Sequence, residues 1–248
     1  MNELLEILKN STEPWIEIQE LYDNGKLKLI CPELNDLSYT EDGHKNNFLH
    51  TMKVLKNVCY NNYSYDMKVV ALFHDIGKPH TKVKTENKWT FHNHETYGAN
   101  LFLKICKKYN IIDLNIDYVY KMILYHGRIK MHRDVSDSAI RRLITELGYD
   151  FVFDVINFSK CDLTTTKNEY YDRFTSAYNV IYKRCIEVHD LDEYNNWKSP
   201  LTGYIIMDIF NNNIDGKRIG QIKNKYDKVL RNNEMTLDDV ITEIKKEE

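Results

Sequence analysis

Apolar residues recur every three or four positions along most of this 248-residue chain. Only 4 prolines and 9 glycines interrupt the pattern, so it favours helices over strands. One alternating stretch, residues 82–92, predicts a short hairpin around Glu86 and Asn87. We predict an all-α fold, with Ser136 and Thr236 as helix N-caps. The predicted helices span residues 3–10, 13–23, 46–61, 66–76, 93–109, 115–126, 136–147, 149–165, 169–188, 202–211, 217–232 and 236–246.

Composition narrows the class of protein. Hydrophobic residues make up 42% of the chain, an ordinary share for a globular protein. The net charge of -3 argues against a generally basic nucleic-acid binder, although a local basic patch stays possible. The 5 cysteines form no CxxC pair, which suits free thiols in a reducing compartment. The N-terminus does not read as a signal peptide and no apolar run approaches the ~20 residues of a membrane span. We therefore predict a cytoplasmic protein with no membrane partner.

Ionisable side chains stand where the helical pattern predicts core. His74 continues the apolar stripe of Met67 and Val70, Asp75 follows it, and Gly77 then ends the helix. Burial of a carboxylate without a partner, at Asp75 or at Asp162, would cost several kcal/mol of folding free energy. A divalent cation would compensate that charge, and histidine with aspartate suits Mn, Fe, Co, Ni or Zn better than Mg. Similar stripes are shared or ended by His50, His94, His126 and Asp162.

Each of these residues also has an ordinary structural explanation. A single histidine on an apolar face, such as His50 or His126, is more often a hydrogen-bonded core residue than a ligand. Asp162 by itself could accept hydrogen bonds from a neighbouring helix. The joint order His, His-Asp, His, His, Asp on successive predicted helices favours a common site.

The motif segments resemble HD-domain metal-dependent phosphohydrolases. The segments are "GHKNNFLHTMKVL", "LFHDIGKPHT", "WTFHNHETYGA" and the stretch ending in Asp162. They are most similar to the HD region of bacterial tRNA nucleotidyltransferases, the CCA-adding enzymes, and residues 199–230 are similar to the C-terminal segment of the same enzymes. The resemblance implies a helical HD bundle with a small C-terminal helical appendix. The implied bounds are 1–25 for a lead-in, 26–198 for the HD domain and 199–248 for the appendix.

The resemblance also implies roles for residues. One tightly held divalent ion would be bound by His50, His74, Asp75 and Asp162. A second ion at His94 and His126 would lack a ligand, because Gly127 stands where two-metal relatives often carry another histidine. His94 and His126 would then face the substrate, and either one could protonate the leaving group. Asp75 could also orient the attacking water.

Three basic residues are candidates for binding phosphate. Lys78 could bind a phosphate oxygen, or be a solvated lysine. Arg141 and Arg142 could meet phosphate, or pair with Asp137, Glu146 or another acid. His44 is a further candidate substrate contact.

The expected reaction is hydrolysis of a phosphate on ribose. The nucleotidyltransferase head of the CCA-adding enzymes carries a Gly-Ser motif and paired aspartates, and the first 25 or so residues hold neither, so nucleotide addition is not expected. The resemblance implies a 2′,3′-cyclic phosphodiesterase, 2′-nucleotidase or phosphatase acting on a nucleotide or an RNA 3′ end, with tRNA as a candidate partner. One alternative is a hydrolase of free nucleotides, either dNTPs or cyclic nucleotides. Another is a non-catalytic RNA-binding module.

Overall fold

The structure, a computed structural model, describes residues 1–39, 46–86, 89–129 and 135–246. Helix makes up 72% of it, and two short strands form one hairpin in the part described, which confirms the all-α prediction. A 3₁₀ turn covers Asp36–Tyr39. The helices are α1 Asn2–Asn10, α2 Pro14–Asp23, α3 Leu27–Ile30, α4 Pro32–Asn35, α5 Asn47–Tyr60, α6 Tyr65–Phe73, α7 Lys78–Thr81, α8 His94–Tyr109, α9 Ile116–Tyr125, α10 Asp137–Leu147, α11 Tyr149–Cys161, α12 Asn168–Asn196, α13 Gly203–Ile209, α14 Gly216–Arg231 and α15 Leu237–Ile244.

Every predicted helix has a counterpart among these elements. The four-residue helices α3, α4 and α7 were not predicted, because one turn is too short to show an apolar period. The helix predicted over 169–188 runs to Asn196 in α12. In the predicted hairpin, strand β1 (Val83–Lys84) pairs antiparallel with β2 (Trp89–Thr90). Its predicted turn residue Asn87 lies outside the described residues.

Side-chain caps fix where several helices begin. Asn46 accepts a hydrogen bond from the backbone N–H of Leu49 at the start of α5. Both predicted N-caps are confirmed. Ser136 accepts from the N–H of Ala139, and Thr236 forms a reciprocal capping box with Asp239. These caps set the register of the helices and so the direction in which their later side chains point.

The described residues divide into two compact units, Met1–Glu187 and Val188–Glu248. The first unit contains the helices that carry the candidate site. The second has its own small apolar core, which includes Leu201, Ile206 and Tyr226. The predicted division at 198/199 remains a prediction. No helix of the described chain has both the length and the apolar character needed to cross a bilayer.

The core of the first unit is built around five helices. In it α5 packs on α6 and α11, and α9 packs on both α6 and α8. Fully buried aromatic side chains fill the space between them, among them Phe48, Phe73, Phe102 and Phe158. Each such side chain contributes several kcal/mol by burial. The packing brings one end of each of the five helices to a common point.

Gly77 allows the start of α8 to approach the turn after α6. A Cβ at position 77 would lie 2.1 Å from the backbone oxygen of His94 and 2.7 Å from the backbone nitrogen of Gly98. Only glycine permits so close an approach of two backbones. Asn93, which precedes α8, has a left-handed backbone with φ of 63°, a conformation that asparagine tolerates well. Both residues therefore help to place His94.

Candidate metal centre

Helix ends supply the candidate ligands. His74 and His126 directly follow α6 and α9, and Asp162 directly follows α11. His94 is the first residue of α8, and His50 lies in the first turn of α5. Side chains at a helix end can reach a point that several helices share without breaking any of them. The structure brings together His50, His74, Asp75, His94, His126 and Asp162.

The first ligand group consists of His50, His74 and Asp162. Nε2 of His50 lies 2.8 Å from Oδ1 of Asp162 and 3.4 Å from Nε2 of His74, which itself lies 3.6 Å from Asp162 Oδ1. Ligand atoms about 2.1 Å from one ion stand about 3.0 to 3.4 Å apart in octahedral or tetrahedral geometry. Oδ2 of Asp75 extends the group, at 3.2 Å from His74 and 3.6 Å from His50.

A second ligand group shares Asp75. Its other carboxylate oxygen, Oδ1, lies 3.5 Å from Nε2 of His94 and 3.7 Å from Nε2 of His126. The two imidazole nitrogens are 3.3 Å apart. Asp75 thus adds a carboxylate oxygen to the histidine pair, a donor that the sequence reasoning did not assign to it. These three residues also have the spacing of metal ligands.

In all four histidines Nε2 belongs to a ligand group, and a contact of Nδ1 orients the ring. In three of the rings Nδ1 donates to the backbone oxygen of the residue three positions earlier. The pairs are His74 with Ala71 at 2.9 Å, His94 with Phe91 at 2.8 Å, and His126 with Ile123 at 2.7 Å. Nδ1 of His50 is 2.9 Å from the hydroxyl of Thr164. Since a carbonyl can only accept, Nδ1 carries the proton in the first three rings. The lone pair of each neutral ring is then on Nε2, which faces the carboxylates, as metal ligation requires.

A buried oxygen in the first group lacks a hydrogen-bond donor. Oδ1 of Asp162 is buried and accepts no hydrogen bond from the described residues, although Nε2 of His50 is 2.8 Å away. In the tautomer that has the His50 proton on Nδ1, two lone pairs face each other at that distance. A cation between them removes the repulsion and satisfies both atoms. The donor set therefore fits a divalent metal with nitrogen and oxygen ligands.

Burial and the neighbouring charges shift the pKa values of the candidate ligands in opposite directions. Burial lowers the pKa of His50, and burial together with the nearby His74 lowers that of His126 to about 4. Burial would raise the pKa of Asp75, but His74 and the ammonium of Lys78 hold it well below its usual value. Burial would likewise lower the pKa of His74, yet Asp75 and Asp162 raise it. At His74 the two nearby carboxylates thus outweigh the effect of burial.

The family is decided by comparison with known proteins. Residues 48–170, which include all six candidate ligands, match the model of the HD domain. This part of the chain is an HD domain. HD domains are metal-dependent phosphohydrolases and bind divalent cations, which places the chain among hydrolases of phosphoric esters.

Three curated relatives match just over half of the chain, and each has the name multifunctional CCA protein. The protein of Acinetobacter baumannii (strain SDF) is 29% identical over 137 residues, 53% of this chain and 33% of the relative. The protein of Hahella chejuensis is 28% identical over 138 residues, which are 53% of this chain and 32% of the relative. The protein of Teredinibacter turnerae is 28% identical over 143 residues, which are 55% of this chain and 34% of the relative. The chain therefore spans about a third of the length of the curated relatives it matches, which fits an HD domain related to CCA-adding enzymes.

Lys78 lies at the edge of the HD-domain ligand groups. Its ammonium donates to Oδ2 of Asp75 at 2.7 Å and to Oδ1 of Asn47 at 3.5 Å, and its side chain is 14% exposed. The lysine is therefore held beside the site by Asp75 and is not a solvated loop residue. At that place its positive charge keeps Asp75 ionised.

The two arginines lie elsewhere. Arg141 and Arg142 are exposed on α10, and neither belongs to the ligand groups of the HD domain. The acids considered as their partners pair with other arginines: Glu146 with Arg128 at 2.6 Å, and Asp137 with Arg184. His44 lies outside the described residues.

Two residues beside the HD-domain ligands were missed by sequence reasoning. Thr164 contacts Nδ1 of His50, and Glu95 has a carboxylate oxygen 3.2 Å from Nδ1 of His94. Thr164 stands in a run of three threonines, and nothing in that run indicates which hydroxyl points inward. Glu95 is the second residue of α8, and a glutamate in the first turn of a helix is common enough to give no signal of a contact. The packing of α5 against α11 explains the Thr164 contact, whereas Glu95 is the sequence neighbour of His94 and only its side-chain direction comes from the structure.

Proposed function

We propose that this HD domain hydrolyses a phosphate ester of ribose, in particular a 2′,3′-cyclic phosphate or a 2′-phosphate on a nucleotide or RNA 3′ end. One observation carries the hydrolytic part. Four imidazoles have Nδ1 bound to oxygen atoms and turn Nε2 toward Asp75 and Asp162. The choice of ribose phosphate rests on the similarity to the CCA proteins and on the resemblance to CCA-adding enzymes, and is an analogy.

The first group is the proposed site of one tightly bound ion. It offers two imidazoles and two carboxylates, from His50, His74, Asp162 and Asp75, which match the charge of a divalent cation. We expect Mn, Fe, Co, Ni or Zn in preference to Mg, because imidazole nitrogen is half of the donor set. When bound, such an ion lowers the pKa of water and polarises a phosphoryl oxygen.

Residues of the second group have roles toward the substrate in this proposal. Asp75 orients the attacking water, because its Oδ1 points away from the first group. Lys78 binds a non-bridging phosphate oxygen as a point charge. As the water oxygen bonds to phosphorus and the bond to the ribose oxygen breaks, His94 or His126 gives that oxygen a proton. His94 suits this better, because its side chain is 15% exposed and that of His126 only 5%.

The test is turnover of a substrate panel by the purified chain with each metal in turn. The panel holds 2′,3′-cAMP, 2′-AMP, 3′-AMP, 3′,5′-cAMP and dATP at equal concentration. We expect a 2′-linked substrate to be turned over fastest, with activity lost in Asp75→Ala. Faster turnover of dATP or 3′,5′-cAMP would favour a hydrolase of free nucleotides. No turnover together with RNA binding would favour a binding module. A cytoplasmic location and tRNA as a partner remain predictions.

A further inference from the structure

A cavity of about 610 Å³ lies beside the first ligand group. His50 and Asp162 form one edge of it, so a substrate bound at these ligands extends into this space. Ligand pockets commonly have volumes of about 300 to 1,000 Å³. The cavity is therefore large enough for a part of the substrate beyond the phosphate that reacts.

Two lysines give this cavity a positive charge. Lys53 comes from α5 and Lys167 from the segment before α12, and both line the cavity and are exposed. Neither forms an ion pair with an acid in the described part of the chain, and the one acid among the described lining residues is the ligand Asp162. The ammonium of Lys167 lies 5.6 Å from the ring centre of Tyr170. Both cations are thus available to an anionic ligand.

The rest of the cavity lining has both hydroxyl groups and apolar side chains. Hydroxyl groups come from the threonines at 164–166, of which Thr164 also holds His50. Apolar surface comes from Leu49, which is 47% exposed, and from the half-buried ring of Phe174. Cations and hydroxyls recognise phosphate, and apolar and aromatic surface recognises a sugar or base.

We infer that this cavity binds a second phosphate of the substrate, one nucleoside away from the phosphate that reacts, through Lys53 and Lys167. The inference rests on the proposed function and deepens it. A substrate with a single phosphate would occupy the ligand groups and leave both lysines without a counter-charge. The second phosphate is either a 5′-phosphate on the same nucleoside or the internucleotide diester before an RNA 3′ end.

The experiment compares three substrates of the wild-type protein: adenosine 2′,3′-cyclic phosphate, its 5′-phosphorylated form, and the dinucleotide ApA with a 2′,3′-cyclic end. We expect a higher kcat/KM for at least one of the two-phosphate substrates, and their order tells a 5′-phosphate from an internucleotide diester. Lys53→Met and Lys167→Met should each lower kcat/KM for the preferred substrate about tenfold more than for adenosine 2′,3′-cyclic phosphate. The loss should appear mainly in KM.

The matched control is Lys104→Met, which removes the same charge from an exposed position on α8, about 15 Å along that helix from His94. It should leave kcat/KM for all three substrates unchanged. Equal losses on all three substrates in the Lys53 and Lys167 variants, or no losses, would overturn the inference and leave the proposed function standing. Turnover of bis(p-nitrophenyl) phosphate without turnover of any ribose-linked substrate would overturn both.

Discussion

Nε2 of His50 lies 2.8 Å from a buried oxygen of Asp162 that accepts no hydrogen bond from the described residues. We expect Asp162→Asn to weaken binding of the tight metal ion by more than about 100-fold, because loss of even an outer-shell contact costs 10- to 100-fold. Isothermal titration with Mn or Ni measures the affinity. The control is Asp154→Asn, which makes the same change on α11 outside the ligand groups and should bind metal as the wild type does. Full metal content in Asp162→Asn would refute the assignment.

Thr164→Val should weaken metal binding by about 10- to 100-fold. The substitution keeps the shape of the side chain and removes the hydroxyl that contacts Nδ1 of His50, so the ring loses its fixed orientation. Elemental analysis after dialysis against a weak chelator measures the retained metal. Thr145→Val, which removes an exposed hydroxyl on α10, serves as the control. Equal retention in the two variants would show that the Thr164 contact is incidental.

Removal of the metal should lower the melting temperature. The metal-free site holds two carboxylates that lose their main counter-charge, while an ion that binds only the folded chain stabilises it by about 2.7 kcal/mol at 100 times its Kd. Thermal unfolding in EDTA, and then with added Mn, Ni, Co, Zn or Mg, measures the shift for each. A melting temperature that no divalent ion changes would contradict the metal site. Asp75→Ala should show no shift with any ion.

Gly77→Ala should lower kcat by about 100-fold, the order expected when a reacting group moves by 1 Å. Its Cβ would come within 2.1 Å of the backbone oxygen of His94, which must push the start of α8 away from Asp75. Metal in the first ligand group, which α8 does not supply, should stay bound. Gly220→Ala in α14, where a Cβ meets nothing within 4 Å, should keep activity and gain about 0.5 to 1 kcal/mol of stability. Unchanged kcat in Gly77→Ala would exclude a role for that close approach.

Asp154→Asn should make the free energy of unfolding less dependent on pH. Burial raises the pKa of Asp154, whose carboxylate accepts the hydroxyl of Tyr118 at 3.0 Å. A carboxyl whose pKa is higher in the folded state binds protons more tightly there, so its contribution is largest below the ordinary pKa and is lost as pH rises through the folded value. Urea unfolding of both proteins between acid and neutral pH should show their difference grow with pH in favour of the variant. A constant difference would contradict the shifted pKa.

The helical fold could be predicted from sequence because an apolar period is a local property that survives in any helical packing. The stripe through Met67, Val70 and His74, followed by Gly77, predicts both where α6 ends and that an imidazole faces inward. The ligand types could be predicted for the same reason, since ionisable side chains on apolar stripes require a common explanation. The one-turn helices α3, α4 and α7 are too short to carry a period and were missed.

Tertiary packing alone decided how the ligands are grouped. His94 and His126 are distant from Asp75 in the sequence. Only the approach of α8 to Gly77 shows that the carboxylate of Asp75 gives one oxygen to each ligand group. The sequence by itself determined the longer helices and the six inward-facing ionisable side chains, and it predicts the kind of ion that suits them, because these follow from local periodicity and donor chemistry. Distances between ligand atoms and the lysine-lined cavity arise where separate helix ends meet, and no local pattern encodes which ends those are.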